Sequence, residues 1–209
     1  MANKGKISQT LFILLLLGLS CCRAQNEKPL GGPCEGCEAI HEYGGRKLMA
    51  RDTLPEFGVN EPKLKITGTV FKKDKKTPAE NVIVYIYHTN RKGVYEKKGD
   101  EKGWAKRHGF IRGWIKTTKD GHYTFYTFRP AAYPDGSEPE HIHITVKEPG
   151  KKEYYLDDYL FADDPGLTLE IRANHKNRGG SGIVFPKRAN GMLTVERDLI
   201  MGLNIPNYP

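Results

Sequence analysis

The stretch FRPAAYPDGSEPEHIHITV, residues 128–146, decides the fold and holds the most informative side chains of the chain. It ends in His141-Ile142-His143, which begins an alternation of polar and apolar residues that predicts a β-strand. On a strand, residues i and i+2 point to the same face, so the two imidazoles face one point. This spacing is typical of metal ligands, although a solvated strand face can also carry two histidines.

Strand patterns recur along the chain on both sides of this stretch. Residues 63–71 alternate apolar and polar side chains, and residues 82–88 form a nearly continuous apolar and aromatic run. Further strands are predicted at 110–117, 123–128, 141–147, 154–161, 183–185 and 192–195. No segment has a sustained helical period. The sequence therefore predicts one all-β domain, a β-sandwich of about eight short strands.

The first 24 residues differ from the rest and resemble an export signal. Two lysines precede an apolar run, Leu11–Leu19, that is too short to span a membrane as a mature helix. Plain cleavage after Ala24 and a bacterial lipoprotein signal, in which Cys21 or Cys22 takes a lipid anchor, both stay open. We expect an exported protein that is periplasmic, anchored at the outer membrane or extracellular.

Residues 25–62 predict an extended N-terminal arm that lies on the domain formed by residues 63–209, because the arm is rich in Gly, Pro and charge. The arm holds Cys34 and Cys37, the one cysteine pair outside the signal. In an exported protein this pair favours a small disulfide loop. A zinc site would need two further ligands, with His41 the nearest candidate, so unpaired or metal-bound cysteines stay open.

The charge of the chain excludes one large class of function. The formal net charge is +8, and removal of residues 1–24 takes away three basic residues and leaves +5. The lysines occur in short clusters beside acidic residues, which is typical of solvated turns and not of a stripe that follows phosphates. We therefore expect no nucleic-acid partner.

Four motifs follow one another between residues 63 and 166. They are Tyr87-His88-Thr89-Asn90 with Gly93-Val94-Tyr95, the segment from Thr117 through Asp120-Gly121 to Tyr133-Pro134, His141-Ile142-His143, and Phe161-Ala162-Asp163-Asp164-Pro165. In this order and spacing they resemble the intradiol ring-cleavage dioxygenases of the protocatechuate and catechol type. The resemblance implies a β-sandwich, in agreement with the strand pattern.

The resemblance also implies a cofactor and a reaction. It assigns one non-haem Fe(III) to Tyr95, Tyr133, His141 and His143. Two phenolates and one hydroxide would balance the three charges of Fe(III), which suits a buried site. The implied substrates are a small aromatic diol and O2, with cleavage between the two hydroxylated carbons. Tyr95 would be released from the metal when the diol binds, whereas Tyr133 would stay.

Three positions depart from the family pattern, and all three are acidic. Glu138 stands where the family has an arginine that steadies negative charge on the substrate ring, Asp158 stands for a glutamine, and Asp135 stands for an aromatic residue. A carboxylate cannot stabilise developing negative charge. We expect the positive charge to come from another arginine, and the candidates are Arg129, placed first as a catalytic residue, Arg112 and Arg107.

Two alternatives to ring cleavage stay open. One is a divergent metal-binding sandwich without that reaction, and the other is a non-enzymatic envelope module that only binds.

Trp104 is predicted to line a pocket, and His88 either packs or lies beside the metal. The remaining histidines, His41, His108, His122 and His175, are predicted to be solvated. The oligomeric state and the physiological substrate stay open.

Overall fold

The computed structural model describes residues 28–209 and confirms the all-β prediction. The predicted signal, with its lipid-anchor alternative, lies outside the described residues. Within them are twelve strands: β1 (Arg51–Thr53), β2 (Lys63–Phe71), β3 (Ile83–Tyr87), β4 (Arg112–Lys116), β5 (His122–Phe128), β6 (His141–Lys147), β7 (Tyr154–Tyr155), β8 (Tyr159–Phe161), β9 (Ile183–Val184), β10 (Lys187–Ala189), β11 (Met192–Glu196) and β12 (Leu199–Ile200). Two short helices, α1 (Ala105–His108) and α2 (Leu169–Asn174), and a 3-10 turn (Cys37–His41) complete the described elements.

The strands form two sheets that enclose one main core. The first sheet has the order β1-β5-β2-β11-β10 with β12 beside β2, and the second has the order β4-β3-β6-β8-β9 with β7 beside β6. Strand β2 shows the predicted alternation, with Leu64, Ile66 and Val70 buried. Phe125 lies beside Ile66 on the paired strand β5, and Ile144 joins the same core from β6 of the second sheet. Each such buried side chain contributes about 1.5–3 kcal/mol relative to exposure.

Strand β6 lies in the interior of the second sheet, and this position fixes where the histidines go. It pairs antiparallel with β3, with Tyr87 opposite His143, and antiparallel with β8, with His141 opposite Leu160. Because both neighbours are paired along β6, the strand cannot slip without turning its buried residues outward. The register therefore holds both imidazoles at one end of the sheet.

The structure has more strands than the eight expected, because several are only two or three residues long. The predicted strand 154–161 is two strands, β7 and β8, separated by Leu156, Asp157 and Asp158. Alternation cannot be recognised over two or three residues. The helices were missed for the same reason, since four and six residues do not establish a helical period.

The N-terminal arm packs against the second sheet. Ala39 and Ile40, in the 3-10 turn, form a second apolar cluster with Tyr85 and Trp114, and the Trp114 indole N–H donates to the carbonyl of Ala39 at 3.2 Å. Farther along the arm, β1 runs parallel to β5. Among the described residues, no helix is long and apolar enough to cross a membrane.

Candidate metal centre and its cavity

Two tyrosines and two histidines converge at the end of the second sheet. His141 and His143 come from β6, Tyr95 from the loop between β3 and β4, and Tyr133 from the loop between β5 and β6. The Tyr95 hydroxyl lies 2.6 Å from the Tyr133 hydroxyl and 2.7 Å from Nε2 of His143. Nε2 of His141 lies 3.1 Å from Nε2 of His143. The four side chains assigned by the resemblance are therefore brought together.

A glycine allows the two tyrosine loops to approach each other. Gly93 has φ +73°, and a Cβ atom there would lie 2.0 Å from the carbonyl oxygen of Ala132. The Asn90 side chain orders the same turn by accepting from the backbone N–H groups of Lys92 and Val94. Only glycine permits both the backbone angle and the contact. This turn places Tyr95 next to the loop that holds Tyr133.

Hydrogen bonds on the far side of each imidazole fix which nitrogen faces the cluster. Nδ1 of His141 lies 2.7 Å from the Pro139 carbonyl, which can only accept, so Nδ1 carries the proton. Nδ1 of His143 lies 3.0 Å from the Asp158 carboxylate. Both Nε2 lone pairs then point at the cluster, and two acceptors 3.1 Å apart repel each other unless a cation or a proton lies between them. The donor set therefore fits a metal ion.

Burial at the cluster favours the neutral forms of the two phenols and of His141. Burial, together with the hydrogen bond and charge of Tyr133, raises the pKa of Tyr95 well above its usual value. Burial also raises the pKa of Tyr133 and lowers that of His141. Phenolates would therefore form here only with a multivalent cation bound. Two phenolate oxygens and two neutral imidazoles are ligands that Fe(III) accepts.

Asp158 lies close enough to be considered as a further ligand. One atom each from His141, His143 and Asp158 falls within 4.8 Å of the others. The carboxylate, however, faces Nδ1 of His143, the nitrogen directed away from the tyrosines. Burial disfavours a charged Asp158, but the hydrogen bond from His143 and the charged groups around it, including Arg197, outweigh burial and lower the Asp158 pKa. Asp158 therefore orients His143, as second partners of metal-binding histidines do.

Arg129, the first arginine candidate, is not brought to the cluster. Its Nε lies 2.5 Å from Glu140 and its guanidinium 2.9 Å from Asp163, so two carboxylates hold it elsewhere. Arg112 is likewise paired, 2.7 Å from Glu42. Among the three candidates only Arg107 lines the cavity beside the cluster. The sequence could not separate them, because the partners come from distant parts of the chain.

The cavity beside the cluster has aromatic walls. It measures about 240 Å³ and adjoins a second cavity of about 280 Å³, with which it shares Glu35, Tyr87 and His143. Trp104 lines the first cavity, as predicted. The Tyr87 ring stacks on His143 at 4.5 Å between ring centres. The sequence does not place Tyr87 at the site, because its position opposite His143 comes from the β3–β6 register, which local spacing does not display.

His108 and His175 are not solvated, contrary to expectation. His108 is buried, its Nδ1 lies 2.9 Å from the Tyr85 hydroxyl, and its ring stacks on Tyr87 at 3.8 Å. His175 accepts the backbone N–H of Gly182 at 2.9 Å, and its side chain is only 9% exposed. Helix α1 folds back onto the sheet and buries His108, which the polar sequence around it conceals.

The other histidines follow the sequence more closely. His88 is buried, and its ring nitrogens contact Thr127 Oγ1 and the Thr89 carbonyl, each at 2.7 Å. It therefore has a packing role beside the site and does not contact the four converging side chains. His41 and His122 are exposed, as expected.

A β-sandwich in which two phenols and two imidazoles converge defines a class, the proteins with a non-haem centre for a hard metal ion. A family model described as Dioxygenase matches residues 45–179. The chain belongs to this family, the intradiol dioxygenases.

The chain is similar in sequence to a known protein of this family. The beta chain of protocatechuate 3,4-dioxygenase from Burkholderia cepacia is 30% identical over 111 residues, which are 50% of this chain and 47% of that protein. The chain thus spans about half the length of this curated relative.

Solved structures share the fold at lower identity. The dioxygenase domain of a dioxygenase carbohydrate-binding protein fusion from Streptomyces sp. SirexAA-E has a TM-score of 0.56 at 20% identity, covering 74% of this chain and 89% of that domain. Catechol 1,2-dioxygenase from Acinetobacter sp. ADP1 has a TM-score of 0.54 at 22% identity, covering 73% and 56% respectively.

Proposed function

We propose that this protein is a non-haem Fe(III) intradiol dioxygenase that cleaves a catechol-like ring between its two hydroxylated carbons. Both atoms of O2 would enter the product, a muconate-type diacid. The observation that supports this proposal is the convergence of Tyr95, Tyr133, His141 and His143 within hydrogen-bonding distance at one point. When bound, Fe(III) would supply the Lewis acidity that makes a catechol reactive towards O2.

The residues of this chain would bind the diol and accept the protons that its hydroxyl groups lose. As a phenolate, Tyr95 would be the best placed to take up a proton from the diol, because its oxygen contacts both Tyr133 and Nε2 of His143. Asp158 would keep His143 in the orientation that presents Nε2. The rings of Tyr87 and Trp104 line the first cavity and would help to exclude water from the bound diol.

A direct experiment tests iron and ring cleavage together. Purified protein loaded with iron should contain about one iron per chain, absorb visible light through tyrosinate bound to Fe(III), and consume O2 when a catechol is added. Tyr133→Phe is the matched variant and should lose part of the colour, because Tyr95 remains as the second tyrosinate. Colourless, iron-free wild-type protein would contradict the proposal.

A second candidate function is metal binding without ring cleavage. It is favoured by Glu138, which stands where the family has its ring-steadying arginine, and by Asp158 in place of the glutamine. Iron and colour without O2 uptake on any catechol would support this candidate over the first.

We also propose that the protein is exported. The apolar N-terminal segment and the Cys34–Cys37 disulfide support this, since disulfides persist in oxidising compartments. Fractionation of cells that express the full chain, with mass spectrometry of the mature N-terminus, would distinguish cleavage after Ala24 from a lipid on Cys21 or Cys22. An unprocessed chain in the cytosol would contradict export.

A further inference from the structure

The disulfide loop from Cys34 to Cys37 forms one wall of the candidate catalytic cavities. Cys34, Glu35 and Gly36 line the second cavity, and Glu35 also lines the first. The loop is packed tightly, because a Cβ atom on Gly36 would lie 2.7 Å from Nε2 of His108. Cys37 is buried and begins the turn that anchors the arm. The loop therefore holds Glu35 at both cavities.

The charged groups that line the two cavities are mostly acidic. Glu35 and Asp158 are carboxylates, and Arg107 is the one lysine or arginine among the described lining residues. Arg107 is already paired with Glu35 across the cavity. Asp135 and Glu138 add two further carboxylates to the loop that holds Tyr133.

This charge distribution opposes an anionic substituent on the ring. A substrate carboxylate that reached Arg107 would have to displace Glu35 and would remain near Asp158. The pair with Arg107 uses Oε1 of Glu35, so Oε2 can accept an ammonium group, which would also be attracted to Asp158.

We propose that Glu35 is a specificity-determining residue and that the site prefers catechols with a cationic, ammonium-bearing side chain over neutral or anionic ones. This inference rests on the proposed function, because it takes the cavities beside the Tyr/His cluster as the place where the diol binds.

The test compares three catechols of similar size that differ in charge. They are 2-(3,4-dihydroxyphenyl)ethylamine, neutral 4-ethylcatechol and anionic 3,4-dihydroxyphenylacetate. Affinity is measured by calorimetric titration of the iron-loaded protein without oxygen, and kcat/KM by O2 uptake. We expect the cation to bind tightest and the anion weakest. Added salt should reduce the differences in affinity between the three catechols, because ions from the solvent can enter the cavities and screen their charges.

Variants on the two charged residues should change the preference in opposite directions. Glu35→Gln should lower the ratio of cation to neutral affinity about two- to fivefold, the range typical of exposed charge pairs. Arg107→Gln should raise this ratio. Glu38→Gln is the control, since Glu38 is an exposed carboxylate in the same arm that does not line either cavity.

The outcomes separate this inference from the proposed function. A preference for the anion, or a ratio unchanged by Glu35→Gln, would overturn the inference while leaving ring cleavage intact. Binding in the expected order with no O2 uptake would overturn ring cleavage and support the charge preference. Failure of all three catechols to bind would overturn both.

Discussion

At the residue scale, Tyr95 differs from Tyr133 in its contacts. Tyr95 touches both Tyr133 and His143, so it is the residue that can pass a proton when a diol binds. We predict that Tyr95→Phe keeps iron bound through the other three side chains but lowers kcat about 100-fold, the range typical of a lost proton acceptor. Iron content and O2 uptake measure the two effects. Tyr126→Phe on the opposite sheet is the control, and full activity in Tyr95→Phe would contradict the assignment.

Asp158 should act on the metal through His143. We predict that Asp158→Ala lowers iron affinity by about 10- to 100-fold, because the imidazole loses the acceptor that fixes its tautomer. Asp158→Asn keeps an acceptor oxygen and should lie between the wild type and the alanine variant. A competition titration with a coloured chelator gives the affinities, and the visible band should shift in both variants. Equal affinity in all three proteins would mean that Asp158 does not support His143.

Local spacing predicts the position of some candidate side chains, whereas distant partners determine the position of others. Strand alternation places His141 and His143 on one face, and the resemblance to the intradiol dioxygenases adds Tyr95 and Tyr133 to them. Arg129 was expected at the site, but Glu140 and Asp163 hold it away. No local pattern encodes these pairings.

At the element scale, long strands were predictable and short ones were not. Strand β2 alternates over nine residues, which matches its burial pattern residue by residue. Strands β1, β7, β10 and β12 have two or three residues and depend on longer neighbours for their pairing. Their existence follows from tertiary contacts, which the sequence does not display.

The disulfide loop is the element whose removal is easiest to test. We predict that Cys34→Ser with Cys37→Ser lowers the free energy of unfolding by about 2 kcal/mol, the value expected for so short a loop. The Michaelis constant for a catechol should also rise, because the cavity wall loosens. Thermal unfolding measures the change in stability, and O2 uptake measures the Michaelis constant. Wild-type protein treated with a reductant should behave like the variant. An unchanged Michaelis constant would show that the disulfide loop does not shape the substrate cavity.

At the scale of the whole molecule, buried neutral histidines should make the fold acid-sensitive. Burial lowers the pKa of His88 to about 4, against about 6.5 in an unfolded chain. Above pH 6.5 both states are neutral, so the stability is fully present. Between pH 6.5 and 4 only the unfolded chain takes up the proton, so stability falls as the pH falls, and below pH 4 His88 adds no further loss.

We therefore predict that the free energy of unfolding falls on acidification from pH 7 to 4, with His88 contributing on the order of 3 kcal/mol. Urea unfolding at a series of pH values measures this slope. His88→Gln should be less stable at pH 7, because the buried packing is disturbed. Since glutamine cannot titrate, its free energy of unfolding should change less steeply with pH. His122→Gln changes an exposed histidine and should keep the wild-type slope. If the free energy of unfolding of His88→Gln depends on pH as steeply as that of the wild type, other groups cause the acid sensitivity.

His108 is the next candidate for this sensitivity, because burial lowers its pKa to about 3.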